Sequence, residues 1–492
     1  MFQASHWKSC RDFLGALAIA SMLMPFSKTR AESGESPAPP RLRAGAAAVD
    51  VTPGPGVLLD GTIMQIGPVR GVHDPLFVRC LVLDDGSERV AVAVADATMI
   101  SREVFDRAKR LAHERTGIPP DRMLFSATHS HSAVRAIGIG EGQADLEYLD
   151  RLARGFADAA AGAVERLAPA EIGWGAGAKP QFVHNRRWFL KSSDALATPF
   201  GTNSDRVKMN PPRGSDELDK PAGPVDPQVS VLSVRHADGR PLAVLANFGI
   251  HYCGGFKSGE VSADYFGVFA RRIAELLEAG AGEPPFVGMM TNGTSGDVSN
   301  GFDFRKPAPK KAPYEWMQEV GEAVAEEVHR VVRGIEHRRD CSLAMRECEI
   351  ELGVRRPDDA RIAWARQVWA AAEGKPRYSR PEIYAREALH LAEYPPTVAV
   401  KLQALRVGGL AVAAIPCEVF AETGLAIKMA SPLERTMVIE LASGYHGYLP
   451  TPRQHALGGY ETWPARSSCL EVEAEPKIRR AVMELLSAVA PK

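Results

Sequence analysis

Two histidines stand one residue apart in "SATHSHS", residues 126–132, where the apolar run Met123-Leu124-Phe125 gives way to small and hydroxylated residues. In an extended backbone residues i and i+2 point to one side, so His129 and His131 can aim two imidazoles at one point. Imidazole suits Zn2+, and a catalytic zinc takes about three protein ligands and keeps one position open. The remaining ligands must then come from elsewhere in the chain. His251 and Glu418 are the best placed, each at the end of an apolar strand. His113, His329, His337 and His390 fall in helical stretches or at their ends and read as surface residues, whereas His184, His446 and His455 fall in loops and stay candidates.

Two other stretches carry chemistry-bearing side chains. "TNGTSGDVSN", residues 291–300, follows an apolar strand over 285–290. Its glycines at 293 and 296 allow a tight turn that sets a hydroxyl and amide donors beside a reacting carbonyl. Ser295 and Ser299 are both candidates for that hydroxyl; an ordinary Gly/Ser/Asn loop would look the same. "SGYHGYLPTP", residues 443–452, supplies Tyr445 and Tyr448, and Tyr460 follows. These phenols either pack, or coordinate a metal or hold an intermediate.

The elements that must position these residues follow from periodicity. "VRCLVLDDGSERVAVAVADA", "VSVLSVRHADGRPLAVLANFGI" and "AVKLQALRVGGLAVAAIPCE" each read as a β-hairpin around a turn, at Asp85-Gly86, Asp238-Gly239 and Gly408-Gly409. Each second strand is almost wholly apolar, as a strand buried on both faces should be. The three hairpins run into Asp96, His251 and Glu418, which points to one shared site at the strand ends. Helical spacing covers 102–116, 145–167, 262–280, 313–335, 357–373, 380–393 and 476–489, with Pro313 expected in a first turn, where its missing N–H costs nothing. The fold class is therefore α/β: mixed sheets built from β-hairpins with flanking helices, in a single catalytic domain. Residues 192–227 are polar and proline-rich, and a loop of that length is either disordered or functional.

The chain has 492 residues, a net charge of −1, 45% apolar and 24% charged residues, the balance of a globular protein with no reason to bind nucleic acid. No protein partner is evident. Lys8 and Arg11 precede an apolar run of about fourteen residues that ends in a small-residue site at Ala31, too short to span a bilayer comfortably. Residues 1–31 thus read as a cleaved signal peptide and 32–41 as a linker, which places the protein outside the cytoplasm, secreted or periplasmic. Six cysteines remain after cleavage, irregularly spaced, with Cys341/Cys348 the best local candidate for a bridge.

In this order, "DVTP" (50–53), "ATHSHS", "NFGIH", "SADYFG", "GDVS", "IPCE" and "GYLPTP…GGYE" resemble the motifs of the neutral/alkaline, non-lysosomal ceramidase family. The resemblance runs from about residue 42 to about 470. It implies a secreted or surface zinc amidase that cleaves the N-acyl bond of sphingolipids, with a small-molecule or lipid substrate and peripheral contact with membrane lipid. It implies zinc ligands at His129, His251, Glu418 and Tyr448. His131 is implied beside the substrate, with Ser299, Tyr460 and Arg186 (in "HNRRW") completing the catalytic set. Ser299 is then either the nucleophile or a hydrogen-bonding group. This sequence departs from the family in running from Ser299 directly into Asn300, and in having Pro416-Cys417-Glu418 for Pro-Gly-Glu. It is expected to be one hydrolase domain over 42–490, without the family's C-terminal β-sandwich. Two alternatives stand beside an N-acyl amidase: a zinc hydrolase of another acylated substrate, such as an acyl sugar or a different lipid amide or ester, and a non-catalytic binding protein on the same scaffold. An amidohydrolase barrel would need eight strand–helix units, which the hairpins contradict.

Overall fold

The computed structural model describes residues 42–491 except 60–66, 139–143, 193–194, 281, 308 and 376. The expected signal peptide and linker lie outside the described residues.

The three hairpins form as expected: Phe77–Asp84 with Arg89–Ala95, Gln228–His236 with Pro241–Phe248, and Thr397–Val407 with Leu410–Ala414. Gly86 and Gly239 take φ of 87° and 91° in the first two turns, a conformation that costs glycine little and other residues more. Each second strand is buried along nearly its whole length. Burial on both faces is possible because each hairpin continues into a helix and a further strand that pairs parallel to it. Met123–Ala127 joins the first, Val287–Asn292 the second and Arg435–Ile439 the third. The architecture is thus three ββαβ units.

The first two units merge into one eight-stranded sheet, with Arg43–Asp50 and Ala168–Ala178 between them. The third unit, with Leu343–Gly353, makes a four-stranded sheet. The two sheets face each other through one apolar layer, where Leu81, Leu232 and Leu245 meet Leu405, Val412 and Met437. Helices Arg102–Thr116 and Leu146–Glu165 cover half of the outer face of the large sheet, and Asp264–Leu276 with Glu315–Val332 cover the other half. Helices Ala421–Ala430 and Ala474–Val489 cover the small sheet. Truncating a side chain of the layer between the sheets, such as Leu245→Ala, should cost about 2–5 kcal/mol.

Local signals explain most boundaries. The Asp145 carboxylate caps Leu146–Glu165 through the Tyr148 N–H, and Asp358 caps Asp359–Ala370 through Arg361. Ser379 and Glu382 form a capping box at the start of Arg380–Ala392. The fourth expected helix starts later than its proline suggested. Tyr314 stands before it with φ 68°, so the first turn begins at Glu315 and Pro313 lies outside. The helix Ala421–Ala430 was not foreseen, because its residues alternate poorly between apolar and polar faces.

Two other expectations are corrected and one is narrowed. The described residues of 192–227 contain short strands at Leu196–Ala197, Asn203–Asp205, Lys208–Met209 and Leu218–Pro221, which removes the disordered alternative for them. Cys341 and Cys348 are both free. They lie seven residues apart along one extended stretch, which separates them by about 23 Å, far beyond disulfide reach. Asp96 does not join the other two strand ends. It is fully buried against Arg79 Nη1 at 2.7 Å and the Phe77 N–H at 2.9 Å, holding the first hairpin together.

Candidate metal centre

The strand Met123–Ala127 ends just before the histidine pair, and the backbone there is not extended. His129 has φ 76°, an uncommon conformation for a residue with a Cβ. The rule of alternating faces therefore does not apply to His129 and His131. Hydrogen bonds hold the turn instead. His129 N–H donates to Ala97 O at 2.8 Å, and the Thr98 hydroxyl donates to Ser130 O at 2.7 Å. The Ser130 and Ser132 hydroxyls both donate to Ser262 O at 2.8 Å. Strain of this kind persists where the surroundings over-determine it, and it clusters at functional sites.

From this turn His129 reaches His251, which follows the second strand of the second unit. Their Nε2 atoms are 3.1 Å apart. His131 Nε2 lies 3.3 Å from His129 Nε2, and its ring stacks on Tyr252 at 3.9 Å between centroids. One ring nitrogen from each of the three histidines falls within 4.8 Å of the others, a spacing that fits a metal ion. Glu418, after the second strand of the third unit, brings Oε2 to 3.4 Å from His129 Nε2 and 3.8 Å from His251 Nε2. That oxygen is fully buried and accepts no hydrogen bond, while Oε1 accepts one from the Tyr445 hydroxyl at 2.8 Å. A buried carboxylate oxygen left without a donor is costly unless a cation faces it.

Outer contacts orient the rings. His129 Nδ1 faces Thr98 O at 2.8 Å, and His251 Nδ1 faces Ser295 O at 3.2 Å. A carbonyl oxygen only accepts, so both Nδ1 atoms carry the proton and both Nε2 atoms turn inward, as metal-ligating histidines do. The electrostatics divide the pair. Burial works against charge on His129, but the Glu418 carboxylate outweighs it and raises its pKa. Burial, with Arg186 nearby, drives His251 well below the usual histidine range. Glu418 is also buried, yet His129 and Arg186 hold it below the usual carboxylate range.

The turn at 291–300 works as a bracket. Ser295 offers its carbonyl to His251, while its N–H and hydroxyl both go to Glu440, at 3.1 and 2.5 Å. Glu440 also accepts the Val419 N–H at 2.9 Å, next to Glu418. Gly296 N–H bonds Val419 O, and a Cβ at Gly296 would lie 2.4 Å from Glu418 O, so only glycine lets the two backbones meet. Asp297 accepts from Ala421 N–H and Asn185 Nδ2, and burial lifts its carboxyl to about 6. Ser299 O accepts the His251 N–H at 3.3 Å, while the Ser299 hydroxyl donates to Phe302 O at 3.3 Å.

Tyr448 lies in register with Glu418 on adjacent parallel strands, beneath the Arg186 guanidinium at 5.3 Å from its ring centre. Burial, then Glu418, pushes its phenol well above the ordinary tyrosine range. Arg186 donates to Glu461 Oε1 and Gly296 O, both at 2.8 Å. Tyr460, half-buried, stands edge-on to Tyr448 at 5.8 Å. The structure therefore draws His129, His131, His251, Glu418, Tyr448, Arg186 and Tyr460 into one neighbourhood, with Ser299 joined to it by its backbone. His184, His446 and His455 are outside the histidine cluster; His184 Nε2 is spent on Gln181 O.

Sequence reasoning missed Glu440 and the pair Arg187–Glu461, joined at 2.6 Å in full burial. Glu440 was within reach of it: an ionisable residue closing the apolar run "TMVIE" is the same signal that found His251 and Glu418.

Fold and site together define a mixed α/β protein whose three ββαβ units converge on a buried histidine–carboxylate cluster that can hold a metal ion. No protein-family model matches the chain. Among solved structures it is similar to a neutral ceramidase from Pseudomonas aeruginosa, at 16% identity over 92% of this chain and 75% of that one, with a TM-score of 0.64. It is equally similar to a ceramidase complexed with C2, at 16% identity over 91% and 75% of the two chains, TM-score 0.64. The chain has the neutral ceramidase fold, and the resemblance carried by its sequence motifs holds at that level.

Proposed function

We propose that this chain is a zinc-dependent hydrolase of an N-acyl amide bond, of ceramidase type, releasing a fatty acid and a sphingoid base from an N-acylsphingosine. The observation that carries this reading is the convergence of His129 Nε2, His251 Nε2 and the undonated Glu418 Oε2 within a fold shared with neutral ceramidase. Two imidazoles and a carboxylate, with Tyr448 beside them, make a donor set suited to Zn2+. Zinc in such a set supplies a Lewis acid for an acyl carbonyl and brings the acidity of water towards neutrality.

The protein's own groups have the remaining work. His131 is half-buried at the edge of the cluster, fixed by its stack on Tyr252, and is assigned the proton exchange with substrate. Arg186, held between Glu461 and Tyr448, and Tyr460 orient the acyl oxygen. Ser299 acts as nucleophile or as hydrogen-bond partner; trapping an acyl group on its Oγ under single-turnover conditions would assign the first role, and a clean single turnover without one the second. The apolar run that follows Lys8 and Arg11, read as a signal peptide, supports export to the periplasm or beyond. Among the described residues no helix is long and apolar enough to cross a membrane.

The test is to screen the zinc-loaded protein on ceramides against other N-acyl and O-acyl compounds, with metal analysis alongside. Fatty acid release from ceramide, abolished by a chelator and by Glu418→Ala, is expected. Purified protein without stoichiometric zinc, together with unchanged turnover in Glu418→Ala, would sink the reading.

A further inference from the structure

A cavity that shares no lining residue with the histidine cluster lies along the aromatic group that joins Phe200 and Trp364 to Trp463 and Tyr460. The helix Asp359–Ala370, the helix Arg380–Ala392, Phe200 of the 192–227 excursion and Pro464 enclose this volume of about 480 Å³. Three arginines line it: Arg355, Arg356 and Arg361. None of the three forms an ion pair among the described residues. Arg355 is fixed by backbone oxygens alone, of Leu470, Thr462 and Ser468, with the Ser468 hydroxyl beside them. Burial without a counter-charge pulls its pKa down to about 10. Arg356 spends one N–H on Ala392 O. Arg361 is laid flat by two aromatic rings, 3.9 Å from the centre of Phe200 and 5.2 Å from that of Trp364. The one acid in the lining, Asp358, is committed to capping the helix through Arg361 N–H at 2.8 Å.

We propose that this cavity binds an organic oxyanion: a carboxylate, sulfate or phosphate ester carried on an apolar body. Three guanidiniums against the single carboxylate of Asp358 leave a net positive potential at one end, and the free N–H groups at the start of a twelve-residue helix add to it. Guanidinium matches the planar two-oxygen face of such groups. The rest of the wall is apolar, with Trp364, Ala388, Leu391 and Pro464, and accepts the body of the ligand rather than a bare ion. Stacking on Phe200 and Trp364 pre-organises Arg361, so little side-chain entropy is lost on binding. The site needs neither zinc nor the proposed hydrolysis, and stands or falls separately from them.

Isothermal titration of the full chain with naphthalene-2-sulfonate tests it. Saturable one-to-one binding is expected, at least tenfold tighter than for 2-naphthol, which has the same ring without the charge, and at least tenfold tighter than for inorganic phosphate, which has the charge without the ring. Arg361→Gln and, separately, the exposed Arg356→Gln should each weaken it about tenfold, with the unfolding temperature unchanged. Equal affinity for 2-naphthol or for phosphate, or wild-type affinity in both arginine variants, would overturn the proposal.

Discussion

His129 and His251, 122 positions apart in the chain, face each other through Nε2 at 3.1 Å while a backbone carbonyl holds each Nδ1. Two inward lone pairs at that distance repel unless a positive charge lies between them. A proton or a metal ion can supply it, and the undonated Oε2 of Glu418 makes room for the ion.

Zinc should therefore stabilise the folded chain. At a free metal concentration of about one hundred times Kd the gain is about 2.7 kcal/mol. Thermal unfolding with and without zinc after chelation measures it, and an unfolding temperature indifferent to zinc would count against the site.

The two histidines of "SATHSHS" should separate by role. His129→Ala is expected to lose bound zinc and turnover together. His131→Ala should keep stoichiometric zinc while kcat falls about 100-fold or more, the usual scale for a lost proton-transfer group. Metal analysis beside steady-state kinetics distinguishes them; loss of zinc in His131→Ala would make it a ligand.

Glu440 braces the backbone beside two of the expected ligands, so its effect should appear in metal affinity. Glu440→Ala leaves the N–H groups of Ser295 and Val419 buried without an acceptor, and zinc affinity should fall about 10–100-fold. Glu440→Gln keeps an oxygen for both N–H groups and should recover most of it. The d–d spectrum of the cobalt-substituted protein reads the geometry independently of activity.

Acid should destabilise the fold through two histidines that take no part in the cluster. Burial pulls His446 down to about 4 and His455 down to about 3, from an ordinary 6.5. The unfolded chain binds protons at these positions as pH falls below 6.5, and the folded chain does not. Their contribution is thus complete above 6.5 and is lost progressively towards pH 3 to 4. Unfolding temperature against pH should show that slope, flattened in His446→Gln and His455→Gln.

The cysteines from Cys80 onwards should behave as thiols. All six are free and five are buried. Thiol titration in denaturant without reductant should find all six, and a reductant should leave the unfolding temperature unchanged.

The sequence alone determined the three hairpins, most helices and, of the residues that meet in the cluster, His129, His131, His251 and Glu418. Alternation and turn residues act over a few positions, so "VRCLVLDDGSERVAVAVADA" declares its hairpin without knowledge of its neighbours. Apolar strands ending in His251 and Glu418 were legible for the same reason. The tertiary structure alone decided what those strand ends meet. Asp96 ends its strand as His251 does, yet Arg79 claims it. The alternating-face rule put His129 and His131 on one side of a strand; the left-handed turn at His129 brings them together instead, because long-range bonds to Ala97, Thr98 and Ser262 fix it. The parallel strands of the three units pair residues 25 to 44 positions apart, and the bracket at 291–300 and the arginine cavity depend on residues a hundred or more positions apart. Local sequence carries no record of such contacts, since they arise only when separate units bury their apolar faces against one another.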